Sequence, residues 1–155
     1  IALDANMEML EIAKKRNNSN TPFYIYANAE NLPFKKFIFD FVVVSFGLRN
    51  FNDIPKSLEQ IHGVLKKKGT FICLEFSEVN NPIFRNIVKV YFKTIPKLGQ
   101  LFANNKFAYD YLVESILNFP NQIQLTKKLS LAGFKTVKVI DIIDGIAAIH
   151  ISKKQ

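Results

Sequence analysis

Hydrophobic and polar positions follow three rhythms along this chain, and each predicts a different kind of element. Residues 39–45 form an almost unbroken run of Phe and Val, which predicts a strand buried on both faces. Residues 70–76 predict another buried strand, residues 1–4 the end of one that closes on Asp4, and residues 23–27 a short one. Between them the spacing turns helical. Met9, Leu10, Ile12 and Ala13 give the apolar side of a helix that starts at Asn6 and runs to about residue 16. A loop at 17–20 follows. Leu58, Ile61 and Leu65 recur in a second helix, with Asp53 as its cap, Pro55 in its first turn and Gly69 closing the unit. Alternation of this kind predicts a parallel sheet with crossover helices.

The rhythm changes at residue 81. Residues 83–103 predict a Phe- and Ile-rich helix containing Pro96, and residues 104–119 a second polar-aromatic segment. A helix over 122–132 ends at Gly133 in a left-handed cap. Strands at 134–140 and 146–152, joined through Asp141 and Gly145, predict a final hairpin. Residues 81–121 are too many for a plain crossover and read as an insertion that covers a substrate site within a single domain, 1–155.

Composition narrows the class. The chain has 155 residues, 48% hydrophobic and 13% aromatic, which suits one domain with one core. Cys73 is the single cysteine and lies in an apolar run, so a disulfide framework and a cysteine metal site are excluded and a reducing compartment is expected. His62 reads as a surface residue and His150 as packing. Neither has a second ligand at metal spacing, so no metal is expected. No apolar run reaches the length of a membrane span, and no signal peptide opens the sequence. Residue 1 is Ile, which implies that the chain begins inside a longer parent or after processing. The net charge of +8 invites a nucleic-acid reading, but the lysines are scattered and not interleaved with aromatics. A basic face for an anionic membrane surface accounts for them better.

In open α/β sheets, ligands sit outside the carboxyl ends of the strands. Three such ends carry polar groups here: Asp4, the loop 28–30, and residues 45–50. A carboxylate at a strand end can accept hydrogen bonds from both ribose hydroxyls, although Asp4 can equally cap the following helix. Arg49 is one of three arginines in a lysine-rich chain, so position 49 either needs a planar fork or holds an ion pair with Asp53. Glu75 is either a buried, satisfied carboxylate or a wall of the site.

An ordered series of short motifs runs through the chain: Phe46-Gly-Leu-Arg-Asn50, Leu74-Glu-Phe-Ser77, Ala103-Asn104, Tyr109-x-Tyr-Leu-x-Glu-Ser-Ile116, Phe119-Pro-x-Gln122, Ala132-Gly-Phe134 and Gly145-Ile-x-Ala-x-His150. Together they resemble the ubiquinone/menaquinone biosynthesis C-methyltransferase family, class I enzymes dependent on S-adenosylmethionine. The resemblance implies an α/β, Rossmann-like fold of strand order 3-2-1-4-5-7-6, with a C-terminal antiparallel hairpin. It also implies that the central first strand and its glycine-rich turn lie upstream of Ile1. A gap is therefore expected between the strand ending at Asp4 and the strand ending at Ser45.

The resemblance further implies S-adenosylmethionine as cofactor. Asp4 would bind its ribose, Asn28 and Ala29 would border its adenine, and Ser45 would lie beside the sulfonium. Arg49 would help remove a ring proton from a polyprenyl benzoquinol or naphthoquinol, and Tyr109, Tyr111, Glu114 and Ser115 would cover that substrate. A membrane surface, a quinone-biosynthesis complex or a homo-oligomer are the implied partners. The implied place is the bacterial cytoplasm at the membrane, or the mitochondrial matrix face. Two departures from the family pattern stand out: Lys66, Lys67 and Lys68 precede Gly69, where Lys-Pro-Gly is usual, and Asn104-Asn105 replaces Asn-Asp. The alternatives are an inactive truncated remnant of such an enzyme and a basic nucleic-acid binder.

Overall fold

The computed structural model describes residues 1–17, 22–103 and 106–155. Most of the expected loop at 17–20, and the Asn104-Asn105 pair, lie outside the described residues. The elements in chain order are β1 (Ala2–Asp4), α1 (Met7–Arg16), β2 (Tyr24–Tyr26), β3 (Phe39–Ser45), a 3₁₀ turn (Leu48–Asn50), α2 (Ile54–Val64) and β4 (Leu65–Phe76). Then come α3 (Pro82–Ala103), α4 (Lys106–Leu117), α5 (Gln122–Leu131), β5 (Phe134–Ile142) and β6 (Ala147–Lys154).

The caps fall where the sequence puts them. The Asn6 side chain accepts the N–H groups of Glu8 and Met9, and the Asp53 carboxylate accepts that of Lys56. Asn121 and Gln124 form a reciprocal capping box at the start of α5, and Gly133 takes φ +92° just beyond its end.

Two sheets result. β1 and β2 pair in parallel, and a separate four-stranded sheet has the order β3-β4-β6-β5. In it β3 and β4 are parallel, while β6 runs antiparallel to both of its neighbours, β4 and β5. Among the described residues no strand joins β1 to β3, so the break falls at the gap expected between Asp4 and Ser45. A loop-to-loop link spans the break: the Glu30 carboxylate accepts the N–H groups of Asn52 at 2.9 Å and Asp53 at 3.2 Å.

The core lies where α2 and α5 cover one face of the larger sheet. Leu58 and Ile61 from α2 and Leu125 and Leu129 from α5 meet Phe71, Cys73 and Phe134, with Leu48 and Leu65 at the margins. In β4 the period of two sends Phe71, Cys73 and then Glu75 to this same buried face.

Four expectations need correction. β3 is not buried on both faces: Val42 and Val44 pack on the core, but Phe41 is 65% and Val43 63% exposed. This strand has a pairing partner on one side alone, and no described element covers its second face. Residues 1–4 are likewise half-open, with Ile1 exposed, and of the apolar side of α1 only Leu10 is buried. β4 begins at Leu65, not after Gly69, because Phe39 faces Leu65 while Phe41 faces Thr70, so residues 66–69 bulge out with Lys68 at φ +64°. His62 is half-buried rather than on the surface, with its ring edge-on to Phe134 at 5.0 Å.

Candidate functional site

The carboxyl ends of β1, β2, β3 and β4 carry the polar residues that the sequence singled out. Asp4 ends β1, and its carbonyl oxygen accepts the N–H of Ala27 at 3.1 Å, which sets Asn28 beside it. One Asp4 carboxylate oxygen accepts the Asn6 N–H at 2.8 Å. Asn6 is thus the helix cap, and the second Asp4 oxygen has no partner among the described residues. Asn28 folds its side chain back onto the Glu30 N–H at 3.1 Å, and Ala29 is buried. Ser45 lies exposed at the end of β3, and Phe46 turns the chain with φ +50°.

Arg49 sits on the 3₁₀ turn that follows. It does not pair with Asp53, which spends its carboxylate on capping α2. Its partner is Glu75, at 2.8 Å from Nη1, a carboxylate only 1% exposed. Nη1 also donates to the Phe46 carbonyl at 2.6 Å, and the guanidinium lies over the Phe76 ring at 5.3 Å. Glu75 is therefore a buried and satisfied carboxylate that also holds a residue of the site. The sequence signal for it was a lone acid at the carboxyl end of a core strand, which left both readings open.

Across from the turn, α4 supplies the other wall. A cleft of about 320 Å³ is lined by Arg49, Ile54, Tyr111, Glu114, Ser115 and residues 118–120. Positions 111, 114, 115 and 118 share one helical face and its continuation, whereas Tyr109 is two residues away from Tyr111 and points elsewhere. Tyr109 is half-buried and does not line this cleft. The Tyr111 hydroxyl donates to the Asn50 side chain at 3.1 Å and ties the helix to the turn that carries Arg49. Asn50, Asn118 and Phe119 were not singled out as site residues. Phe119 lies inside one of the motifs, but only folding brings it and Asn118 to the cleft, and Asn50 is linked to the cleft through Tyr111.

The structure thus forms two groups. Arg49, Tyr111, Glu114 and Ser115 share the cleft, while Asp4, Asn28 and Ala29 gather at the ends of β1 and β2. Ser45 lies close in sequence to Arg49 but outside the cleft lining.

These features can be set beside known proteins. The model of the ubiE/COQ5 methyltransferase family matches residues 1–154. The ubiquinone/menaquinone biosynthesis C-methyltransferase UbiE of Rickettsia typhi is 45% identical over 159 residues, covering 99% of this chain and 64% of that protein. The mitochondrial 2-methoxy-6-polyprenyl-1,4-benzoquinol methylase of Bos taurus is 41% identical, covering 95% of this chain and 46% of that protein. The chain therefore spans slightly less than two thirds of the length of the bacterial relative. Among solved structures, a SAM-dependent methyltransferase of Thermotoga maritima superposes with a TM-score of 0.71 at 21% identity, over 99% of this chain and 72% of its own. One from Aquifex aeolicus gives 0.66 at 13% identity, over 99% and 68%. This likeness establishes the Rossmann-like methyltransferase fold.

Proposed function

This chain belongs to the ubiE/COQ5 methyltransferase family, and from that premise we propose that it carries the methyl-transfer site for a polyprenyl benzoquinol or naphthoquinol ring carbon, with S-adenosylmethionine as donor. The observation that carries this reading is the convergence of Arg49 with Tyr111, Glu114 and Ser115 on one cleft beside the strand ends.

The residues at those ends fit the donor. Asp4 keeps a carboxylate oxygen free for ribose hydroxyls, and the buried Ala29 offers an apolar edge to adenine beside Asn28. When bound, S-adenosylmethionine supplies a methyl group already electrophilic on its sulfonium. The protein then has to align the ring, exclude water, and pass on the phenolic proton and the ring proton that the methyl group replaces. Tyr111, Glu114 and Ser115 would form the wall that aligns the ring. A guanidinium offers donors and no acceptor, so Arg49 would orient a relay water or hold a phenolate oxygen. Ser45 would lie on the donor side of the ring. Residues 81–121, with α3 and α4, would act as the cover.

The quinol's prenyl tail implies work at a membrane surface. No helix among the described residues is long and apolar enough to cross a membrane. Ile83, Ile87, Val90 and Tyr91 on α3 are all more than half exposed and follow i, i+4, i+7, i+8 spacing, which supports peripheral contact through one helix face. A homo-oligomer or a quinone-biosynthesis complex could occupy that same face. Sedimentation with anionic vesicles, and mass measurement without them, separates these partners. Relatives in bacteria and in mitochondria support either the cytoplasmic or the matrix side.

The direct test incubates the full-length protein with radiolabelled S-adenosylmethionine and demethylated benzoquinol or naphthoquinol. Label should enter the organic phase with at least one ring, and none with either would refute the reading. Calorimetric binding of the donor separates the enzyme from an inert remnant, which would bind none.

A further inference from the structure

The structure assigns Glu75 as the positioning residue that turns Arg49 so that its unspent Nη2 donor is left for an oxygen of the bound quinol. This inference rests on the proposed function and deepens it. One carboxylate grips residue 49 at both ends. Its Oε1 accepts Arg49 Nη1 at 2.8 Å, and its Oε2 accepts the Arg49 backbone N–H at 3.2 Å. Oε1 also accepts the Phe76 N–H at 3.0 Å, so the carboxylate plane itself is held.

The grip comes from the best-fixed strand. β4 is paired on both sides, by β3 and β6, and Glu75 lies opposite Ala148. The 3₁₀ turn has only short local backbone bonds, Asn50 N–H to Gly47 and Phe51 N–H to Leu48, plus the wholly buried Leu48. The turn can therefore fold without Glu75, but the direction of the guanidinium depends on it.

Counting donors identifies the free one. A guanidinium has five N–H groups in a rigid fork. Nη1 is spent on Glu75 and on the Phe46 carbonyl. Nη2 has no bond among the described residues, and Nε is shut off from solvent without a partner. Nη2 is therefore the donor left for a ligand oxygen in the plane of the fork. Because Glu75 balances the charge of Arg49, the guanidinium offers a directed donor rather than an unpaired positive charge. That suits a neutral quinol oxygen that becomes negative only as its proton leaves.

The test uses the full-length protein with a demethylated quinol. In Glu75→Gln, the amide nitrogen meets either the Arg49 N–H or its Nη1, so one grip is lost. We expect kcat to fall about 10²-fold, the effect of an ångström-scale misplacement, with KM for the donor unchanged. Affinity for a phenolic product analogue, measured by calorimetry without the donor, should fall in Glu75→Gln as in Arg49→Lys. The double variant should lose little more than either single one. If Glu75→Gln does not fold, Glu75→Asp decides, because it keeps the charge but draws the carboxylate back. A folded variant with wild-type kcat, or losses that simply multiply in the double variant, overturns the assignment. Absence of turnover in the wild type overturns the proposed function instead, and this inference with it.

Discussion

Glu30 accepts the backbone N–H of Asn52 at 2.9 Å, and through it the loop after β2 is tied to the loop that leads into α2. The same oxygen accepts the Asp53 N–H, while the other carboxylate oxygen is buried without a partner among the described residues. The link spans the break between the two sheets and fixes Asn28 and Ala29 from the far side.

Glu30→Ala should therefore weaken both stability and donor binding. Two N–H groups lose their acceptor, at a cost of about 1–2 kcal/mol. Donor affinity should drop on the order of tenfold, since the adenine edge is no longer held. Glu30→Gln keeps an acceptor oxygen and should stay close to wild type. Thermal melts and calorimetry on both variants check this, and an Ala variant that keeps both properties would make the link incidental.

Arg49→Lys tests the fork itself. Lysine keeps the charge and can reach Glu75, but it cannot offer a second in-plane donor. Turnover in the full-length protein should fall about 10²- to 10³-fold, or roughly 3–4 kcal/mol of transition-state stabilisation. Donor affinity and melting temperature should stay near wild type. Near-normal turnover would remove Arg49 from the mechanism, and a variant that merely unfolds would reduce it to a structural partner of Glu75.

Local signals made most of the frame legible. The caps at Asn6 and Asp53, the left-handed Gly133 and the final hairpin are dictated by side chains within a few residues, so the sequence displays them. Arg49 was legible because an arginine among lysines is a costly choice unless its shape matters. Asp53 was the ion-pair partner that the sequence offered as an alternative because it is near in the chain, whereas Glu75 arrives through the parallel pairing of β3 with β4, 26 residues on. Likewise, the Val run of β3 predicts burial on both faces only if something covers both, and composition cannot report a missing neighbour. Tyr109 and Tyr111 look alike in sequence, and only the helical turn between them sends one to the cleft.

Cys73 should be inert in the native state. It is fully buried beside Glu75, and burial first, then that carboxylate, push its thiol up to about 12. Iodoacetamide at pH 8 should leave it unmodified, and labelling should appear only as denaturant opens β4. Rapid labelling without denaturant would mean that the core strand opens locally.

Acid should destabilise the fold through two histidines. His150 is buried in β6 and His62 half-buried on α2; both titrate below the ordinary 6.5, chiefly because burial penalises the charged ring. For each, the unfolded chain binds the proton more readily, so the stability is intact above 6.5 and is lost as pH falls through the lowered folded value. His150 Nδ1 has no partner among the described residues, whereas Nε2 meets the Gln122 carbonyl at 3.1 Å, so His150→Gln should flatten part of the acid slope. Denaturant melts between pH 5 and 8 measure it, and an unchanged slope would exclude His150 as a source.

The break between β1 and β3 leads to the last expectation, about the 155-residue polypeptide on its own. Among the described residues β1 pairs only with β2 and β3 only with β4, so each presents an unpaired edge there. Unpaired edges recruit other strands, and the flanking residues here are apolar. Phe41 is 65% and Val43 63% exposed on one face of β3, with Met9 at 53% on the helix after β1. Backbone N–H and C=O groups along both edges would have water as their partner, while the side chains beside them avoid it. The isolated polypeptide should therefore associate at micromolar concentration and melt broadly. Extending it with the part of the Rickettsia relative that it does not match should give a monodisperse species with a sharp transition, provided that part lays a strand between β1 and β3. Light scattering and thermal melts of the two polypeptides decide it. A sharp, concentration-independent melt of the 155 residues alone would show that the two edges need no strand between them.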